Sequence, residues 1–144
     1  MESVAKDLLS AVAVADRLRQ INDAAAAVPR APGKWSRKQV LGHLVDSAAN
    51  NHQRFVRLQL TPRIDLPGYD GDGWVRVQRY QDRPWAEIVN LWVAYNTQLS
   101  EVIRTVDVNV LKHVWHTPDG DDLTLEFLMR DYVVHLRHHI DQIL

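Results

Sequence analysis

Hydrophobic residues recur at helical spacing in four stretches of the chain, and each stretch predicts an amphipathic helix. The first stretch runs from about Glu2 to Ala27, and Pro29, which disrupts helix interiors, lies just beyond it. Its apolar positions are Val4, Leu8, Val12, Ala15, Leu18 and Ile21. The second stretch is expected to begin after Ser36, because Ser36 and Gln39 form the Ser-x-x-Gln pattern of a capping box. It continues through Leu58.

The segment from 61 to about 83 predicts a long irregular crossover, because turn-forming residues interrupt any helical pattern. These residues are Pro62, Pro67, Gly68, Gly71 and Gly73. A third helix is expected from Trp85 through Ile103, where apolar positions again recur at helical spacing. Asp82 is its expected cap, and Pro84 suits its first turn.

The last helix is expected to begin at Thr124 or Asp122 and to continue nearly to Leu144. Pro118-Asp119-Gly120, a turn signal, precedes it. Four amphipathic helices with two longer connections are typical of a helical bundle. We therefore predict an all-α protein, a four-helix bundle with a long crossover between helices two and three, as a single domain over residues 1–144.

Composition narrows the classes of partner. The 144 residues carry a formal net charge of −1, which indicates neither a nucleic-acid nor a membrane-surface partner. No apolar run is long enough to span a bilayer, and the first residues lack the pattern of a signal peptide. Cysteine is absent, so we expect no thiolate ligand and a cytoplasmic location. Any thiol chemistry would need a thiol from outside the chain.

Three histidines predict a metal site in the core of the bundle. His135 and His139 are four residues apart on the last helix, so their imidazoles lie on one face. His43 lies on the expected inward face of helix two, and bundle cores hold metals through side chains of facing helices. Three imidazoles leave at least one coordination position open, as a reactive site requires. The alternative is that each histidine is a hydrogen-bonded core residue.

Four further residues are candidates for the surroundings of this site. Asp46 is a candidate ligand, acceptor for an imidazole N–H or general base, and its alternative is a surface charge. His138 is expected at the rim, where it would help to manage protons. Asn50 and Arg54 follow at helical spacing and are candidates to bind an anionic group of a substrate or thiol. Arg54 equally suits a surface ion pair.

The other histidines are weaker candidates for this site, and the common catalytic motifs are absent. His52 is expected on the opposite face of helix two, and His113 and His116 would bind metal only if their loop folded over the site. The chain has no dinucleotide or Walker-type phosphate loop, no Gly-x-Ser-x-Gly and no His-Glu-x-x-His. What remains is a mononuclear site of imidazoles. Such a site suits zinc, nickel, copper or iron, so the ligand set does not choose the metal.

Three segments resemble the DinB-like superfamily. The second-helix segment comprises Trp35-Ser36, Leu41-Gly42-His43-Leu44-Val45-Asp46-Ser47, Asn51 and Arg54-Phe55. The last-helix segment comprises Leu125-Glu126-Phe127-Leu128, His135, His138-His139 and Gln142-Ile143-Leu144. The third segment is Trp85 through Tyr95. The resemblance implies a four-helix bundle that binds one divalent metal through one histidine of helix two and an i,i+4 pair on a later helix. Carried over, these ligands are His43, His135 and His139.

The resemblance also implies a range of activities. Characterised members include transferases that use a low-molecular-weight thiol such as bacillithiol or mycothiol, and the mycothiol-dependent maleylpyruvate isomerase. Other members carry only the label of metal-dependent hydrolase. Because metal coordination favours a thiolate, our leading expectation is thiol-dependent S-transfer onto a small electrophile, with zinc or nickel as the metal. The alternatives are hydrolysis and a non-enzymatic, stress-related role in metal binding. Family members often pair through bundle helices, so a homodimer is expected.

Overall fold

A computed structural model describes residues 1–144 and shows four long helices packed as a bundle. These helices are α1 (Glu2–Val12), α4 (Arg37–Leu60), α6 (Trp85–Arg104) and α7 (Leu125–Ile143). Helices α1 and α4 lie diagonally opposite each other, since each packs mainly against α6 and α7. The predicted four-helix bundle is therefore confirmed. None of the helices is both long and apolar enough to cross a bilayer.

The first predicted helix is divided into three pieces, so its expected continuity from Glu2 to Ala27 is wrong. Two short helices follow α1, namely α2 (Ala15–Arg19) and α3 (Asp23–Ala27). The side chain of Asn22 accepts a hydrogen bond from the backbone N–H of Ala25, which starts α3 as a separate helix. The break matters for the fold because the carbonyl of Leu18 accepts a hydrogen bond from the indole of Trp85 in α6.

Helix α4 begins as predicted, at the capping box of Ser36 and Gln39. The Gln39 amide donates to the Ser36 hydroxyl at 3.3 Å, and the Ser36 amide donates to the Gln39 side chain at 2.9 Å. Arg37 at its start donates to the carbonyl of Ile143, the last residue of α7, at 2.9 Å. Helices α4 and α7 therefore run antiparallel. As a result, the first turns of α4 face the last turns of α7.

The cap of α6 differs from the prediction. The Asp82 carboxylate pairs instead with Arg79 at 2.9 Å, within a short 3₁₀ turn before the helix. A distant carboxylate takes its place, because Asp23 accepts a hydrogen bond from the backbone N–H of Trp85 at 2.7 Å. At α7, Thr124 is the cap, as one of the two predicted alternatives, and accepts from the amide of Phe127.

The two long connections contain structure that was not predicted. A short helix, α5 (Gly71–Gln78), lies in the crossover. A three-stranded sheet has the order β1 (Arg63–Ile64), β2 (Val114–His116) and β3 (Asp122–Thr124), with β1 parallel and β3 antiparallel to β2. Strands of two or three residues are too short to show an alternating pattern, which explains why the sequence did not indicate them. The predicted turn at 118–120 connects β2 and β3.

Candidate metal centre

The structure brings His43, His135 and His139 together. Each ring offers one nitrogen to a group whose members all lie within 4.8 Å of one another. The Nε2 atoms of His43 and His135 are 3.4 Å apart. The centroids of the three rings are separated by 4.6 to 5.3 Å. The three histidines thus converge on one point from two antiparallel helices.

The crossover forms one wall of this cluster. The ring of Tyr69 stacks on His43 with a centroid distance of 6.4 Å and an interplanar angle of 27°, and Trp35 approaches the same ring at 5.2 Å. Gly71, the first residue of α5, lies so close to the imidazole that an added Cβ would contact it at 3.5 Å. The His43 ring is therefore held between α7 on one side and the start of α5 on the other.

All three imidazoles are neutral near pH 7. Burial, together with the nearby His139 and His135, lowers the pKa of His43 from 6.5 to about 4. Burial is also the main cause that lowers the pKa of His135 and of His139. Neutral imidazoles present free lone pairs, which a metal ligand must do.

The hydrogen-bonding of the rings fits a divalent metal ion. The Nδ1 atoms of His43 and His139 are buried and have no hydrogen-bond partner. The nitrogen of His43 that faces His135 is Nε2, so Nδ1 carries the proton of the neutral ring and leaves the Nε2 lone pair for a metal. Three neutral nitrogen donors converging on one point constitute a suitable ligand set for a transition metal with an open coordination position. The residues present therefore fit such an ion.

Asp46 is buried rather than exposed, so a surface charge is ruled out. Only 1% of the residue is accessible, and its carboxylate accepts hydrogen bonds from the Tyr80 hydroxyl at 2.7 Å and the Gln78 amide at 3.1 Å. Its other oxygen, Oδ2, is buried without a partner, and burial raises the pKa of this carboxyl group. Asp46 is not among the converging ligand atoms. It connects α4 to the end of α5 and the turn that follows.

His138 lies at the exposed rim, where it was expected. Its ring centroid is 5.3 Å from that of His139, and its Nε2 atom accepts a hydrogen bond from the Gln142 amide at 3.0 Å. The ring is not part of the converging group. Its position next to solvent is compatible with proton exchange, and its catalytic role stays a prediction.

Arg54 and Asn50 lie in different surroundings. Asn50 donates to the backbone carbonyl of Asp46 at 2.9 Å and lines a hollow of about 140 Å³ with Pro67, away from the three histidines. Arg54 also borders that hollow, but in addition it lines a cavity of about 200 Å³ that reaches His135. The structure thus connects Arg54, and not Asn50, with the histidine cluster. The predicted binding role of Asn50 stays a prediction.

The cavity also reveals residues that the sequence analysis missed. Tyr69 lies on its wall, and burial raises the pKa of this phenol, so that it keeps its proton at neutral pH. Trp115 lies on the same cavity and belongs to β2, which the sequence did not predict. The one sequence signal for Tyr69 was an aromatic residue among the glycines and prolines of the crossover.

The remaining histidines do not join the cluster. The His52 ring lies 3.3 Å from the Tyr95 hydroxyl, and Nδ1 of His113 lies 2.6 Å from the carbonyl of Leu58. His116 pairs with Asp122 across the hairpin at 2.7 Å. The loop of His113 and His116 therefore does not complete the metal centre.

Comparisons with known proteins agree with this architecture. The curated protein "Putative metal-dependent hydrolase YfiT" of Bacillus subtilis (strain 168) is 28% identical over 145 residues, covering 99% of this chain and 78% of that protein. A solved structure, described as "YfiT from Bacillus subtilis is a probable metal-dependent hydrolase with an unusual four-helix bundle topology", has a similar fold. Its TM-score is 0.81 at 24% identity, with 98% of this chain and 82% of that chain covered.

Two further comparisons match different shares of the chain. "Probable GTP-binding protein EngB" of Syntrophomonas wolfei is 32% identical over only 74 residues, which are 51% of this chain and 32% of that protein. The model of the DinB superfamily, in contrast, matches residues 10–143. That match contains both helices that carry the three histidines. The chain therefore belongs to the DinB superfamily.

Proposed function

We propose that this protein is a metal-dependent enzyme that hydrolyses a small molecule at His43, His135 and His139. The observation that carries the proposal is the convergence of three neutral imidazoles beside a cavity that reaches His135. The similarity to a protein named as a putative metal-dependent hydrolase supports the choice of reaction. The metal is proposed to be a divalent transition ion, zinc or nickel, because imidazole ligands suit both.

The surrounding residues have separate roles in this proposal. A divalent metal held by the three imidazoles would act as a Lewis acid toward a further ligand. Tyr69, which keeps its proton, donates a hydrogen bond to a polar atom of the substrate in the cavity. His138 at the rim exchanges protons with solvent. Asp46 is a positioning residue, since its bonds to Gln78 and Tyr80 hold α5 against α4 and thereby keep Gly71 beside His43.

Thiol-dependent transfer is the second candidate reaction. A hollow of about 570 Å³ lies beside Trp35 and Gln142. Its lining contains two cationic side chains, those of Arg30 and Lys34, and one carboxylate, that of Asp72. Trp35 is also the neighbour of His43. The histidine cluster thus lies between this hollow and the cavity at His135, an arrangement that suits two reactants. A low-molecular-weight thiol with anionic groups would occupy the larger hollow, and the electrophile would occupy the smaller cavity.

Elemental analysis of protein purified without chelator tests the metal site. We expect about one equivalent of a transition metal in the wild type and its loss in His139→Ala, because one of three ligands is removed. The adjacent variant His138→Ala is the matched control and should keep the metal. Zinc or nickel added to the metal-free wild type should raise its melting temperature by mass action. A wild type that binds neither ion would contradict the proposal.

The reaction type is tested with the metal-loaded protein. Hydrolysis predicts turnover of small esters or amides without any thiol. Transfer predicts that the electrophile 1-chloro-2,4-dinitrobenzene is consumed only when a low-molecular-weight thiol is added. In both cases His139→Ala should be inactive. The single-domain organisation over 1–144, the homodimer and the cytoplasmic location stay predictions.

A further inference from the structure

We propose that Arg54 forms a carboxylate-binding subsite of the proposed active site. The substrate would then be a small molecule whose carboxylate lies several bonds away from the group that reacts at the histidines. This inference deepens the proposed function and rests on it for the identity of the reacting end. The binding of the carboxylate itself depends only on the residues around Arg54.

Arg54 is a buried cation without an acidic partner. Lys38, Asp46 and Arg54 are the buried residues with charged side chains. Lys38 pairs with Asp23 at 2.9 Å, and Asp46 accepts two hydrogen bonds. Arg54 is only 8% exposed and takes part in none of the ion pairs of the chain. An isolated buried charge is costly, and an anionic ligand would offset that cost.

The guanidinium of Arg54 is held in place, but most of its N–H donors have no hydrogen-bond partner. Its central carbon lies 3.7 Å from the ring centroid of Trp115. The indole N–H of Trp115 donates to the carbonyl of Leu66 at 2.8 Å, which fixes the ring against the crossover. Of the five guanidinium N–H groups, one makes a long hydrogen bond of 3.4 Å to Asn51. A planar fork held on an aromatic face suits a carboxylate bound through both oxygens.

A cavity connects Arg54 with His135. Its volume of about 200 Å³ admits a small molecule but not a large polyanion. Ser47 and Tyr69 add hydroxyl groups to its wall, and Leu123 and Leu128 add apolar surface. A molecule in this cavity therefore meets cationic, hydroxyl and apolar groups together. That combination suits an organic carboxylate better than inorganic phosphate.

Arg54 and the histidine cluster lie apart along α4, and the charged groups of the cavity are divided between these two ends. His43 and Arg54 are eleven positions apart on α4, which corresponds to about 16 Å along the helix axis. Asp131 is the acidic residue on the cavity wall, and it lies about one helical turn before His135 on α7, near the histidine end. Arg54 forms no ion pair with Asp131. The cationic and the metal-binding ends of the cavity are thus separate, and the substrate must extend between them.

A binding experiment on metal-free protein tests this subsite. Benzoate and its neutral analogue benzamide are titrated in the presence of chelator, because a bound metal would itself attract a carboxylate. Calorimetry gives the Kd, and quenching of tryptophan fluorescence, absent in Trp115→Phe, locates the ligand. We expect benzoate to bind at least about tenfold more tightly than benzamide, since a charged hydrogen-bonded pair is replaced by a neutral one.

The variants decide whether Arg54 is responsible. Arg54→Gln should weaken benzoate binding by about tenfold or more. Arg54→Lys keeps the charge but lacks the planar fork, so its affinity for benzoate should lie between those of the wild type and Arg54→Gln. Arg57→Gln on the same helix and Lys34→Gln in the larger hollow are controls that should bind benzoate like the wild type. Circular dichroism checks that each variant folds. If Arg54→Gln does not fold, the benzoate affinity of Arg54→Lys tests the subsite instead.

Three results would overturn the subsite: no benzoate binding by the wild type at millimolar concentration, equal binding of benzamide, or unchanged binding in the folded Arg54 variants. None of these results depends on metal. A protein that binds benzoate through Arg54 but contains no metal would retain the subsite and contradict the proposed function instead.

Discussion

Gly42 illustrates how a single residue shapes the surroundings of the metal centre. A Cβ atom added at this position would lie 2.2 Å from two ring carbons of Tyr80, far inside contact distance. The Tyr80 ring packs directly on the α4 backbone, and its hydroxyl reaches Asp46 one turn further along. The glycine beside His43 is therefore explained by packing and not by an unusual backbone conformation.

We predict that Gly42→Ala destabilises the protein although alanine is the better helix former. The helical gain is about 1 kcal/mol. Against it stand overpacking, which costs about 1–3 kcal/mol, and lost burial of Tyr80, which costs about 2 kcal/mol. The net loss of about 2–4 kcal/mol should lower the melting temperature by about 4–16 °C.

A double-mutant cycle supplies the control for Gly42. In a Tyr80→Gly background neither the ring nor the Cβ atom of residue 80 remains, so Gly42→Ala should now stabilise the protein. Gly68→Ala, where nothing lies within 4 Å of an added Cβ, should change the melting temperature little. The same loss in both backgrounds would show that Tyr80 is not the cause.

At the scale of elements, Asp23 connects three helices. Its Oδ1 atom caps α6 at the N–H of Trp85, and its Oδ2 atom lies 2.9 Å from the ammonium of Lys38 in α4. Asp23 itself lies in the first turn of α3. The Lys38 side chain is only 5% exposed, and the hydrogen bond that it donates lowers the pKa of Asp23. One carboxylate thus satisfies a helix end and a buried cation.

We predict that substitutions of Asp23 rank by how many of these contacts they keep. Asp23→Asn retains an acceptor for the helix cap but loses the charge opposite Lys38, so its melting temperature should fall below that of the wild type. Asp23→Ala loses both contacts and should melt lowest. Lys38→Met in the Asp23→Ala background should recover part of the loss, because no buried charge then remains unpaired.

A surface aspartate provides the comparison for Asp23. Asp16 forms an exposed pair with Arg19 at 3.0 Å, and such pairs contribute little to stability. Asp16→Ala should therefore melt like the wild type. Equal melting temperatures for Asp23→Ala and Asp16→Ala would contradict the assigned role of Asp23.

At the scale of the whole molecule, the antiparallel packing of α4 and α7 places three histidines in one partly buried cluster. In the unfolded chain these histidines are exposed to water and titrate near 6.5. In the folded protein their pKa values are lowered, for His43 to about 4. Between these values the unfolded chain binds protons that the folded protein does not. The contribution of these histidines to the stability of the metal-free protein is therefore fully present above about pH 6.5. It is lost as the pH falls toward 4.

We predict that metal-free wild type, kept in chelator, loses melting temperature steadily from pH 7 to pH 5. The change attributable to His43 is on the order of 1 kcal/mol, less than its full shift implies because the ring is only partly buried. His43→Gln should show a shallower dependence. The raised pKa of Asp46 acts in the opposite direction, so the difference in slope between wild type and variant is the quantity to compare. Identical slopes would contradict the prediction.

Helix α4 and the common face of His135 and His139 were predictable because each depends on spacing along one element. The capping box at Ser36 and Gln39 and the apolar period of α4 are local patterns, and both agree with the structure. The i,i+4 spacing of His135 and His139 likewise fixes their common face whatever they pack against. These features follow from backbone geometry alone.

What only the tertiary structure decided involves residues that meet across elements. Asp23 replaces Asp82 as the cap of α6 because the chain before α4 folds back against that helix end. Arg54 is a buried cation without an acidic partner only because β2 brings Trp115 beneath it. The sequence by itself therefore determined a helical bundle and the common face of His135 and His139, since both depend on periodicity. The cavity, its walls and its charge were decided by long-range packing, which no local pattern encodes.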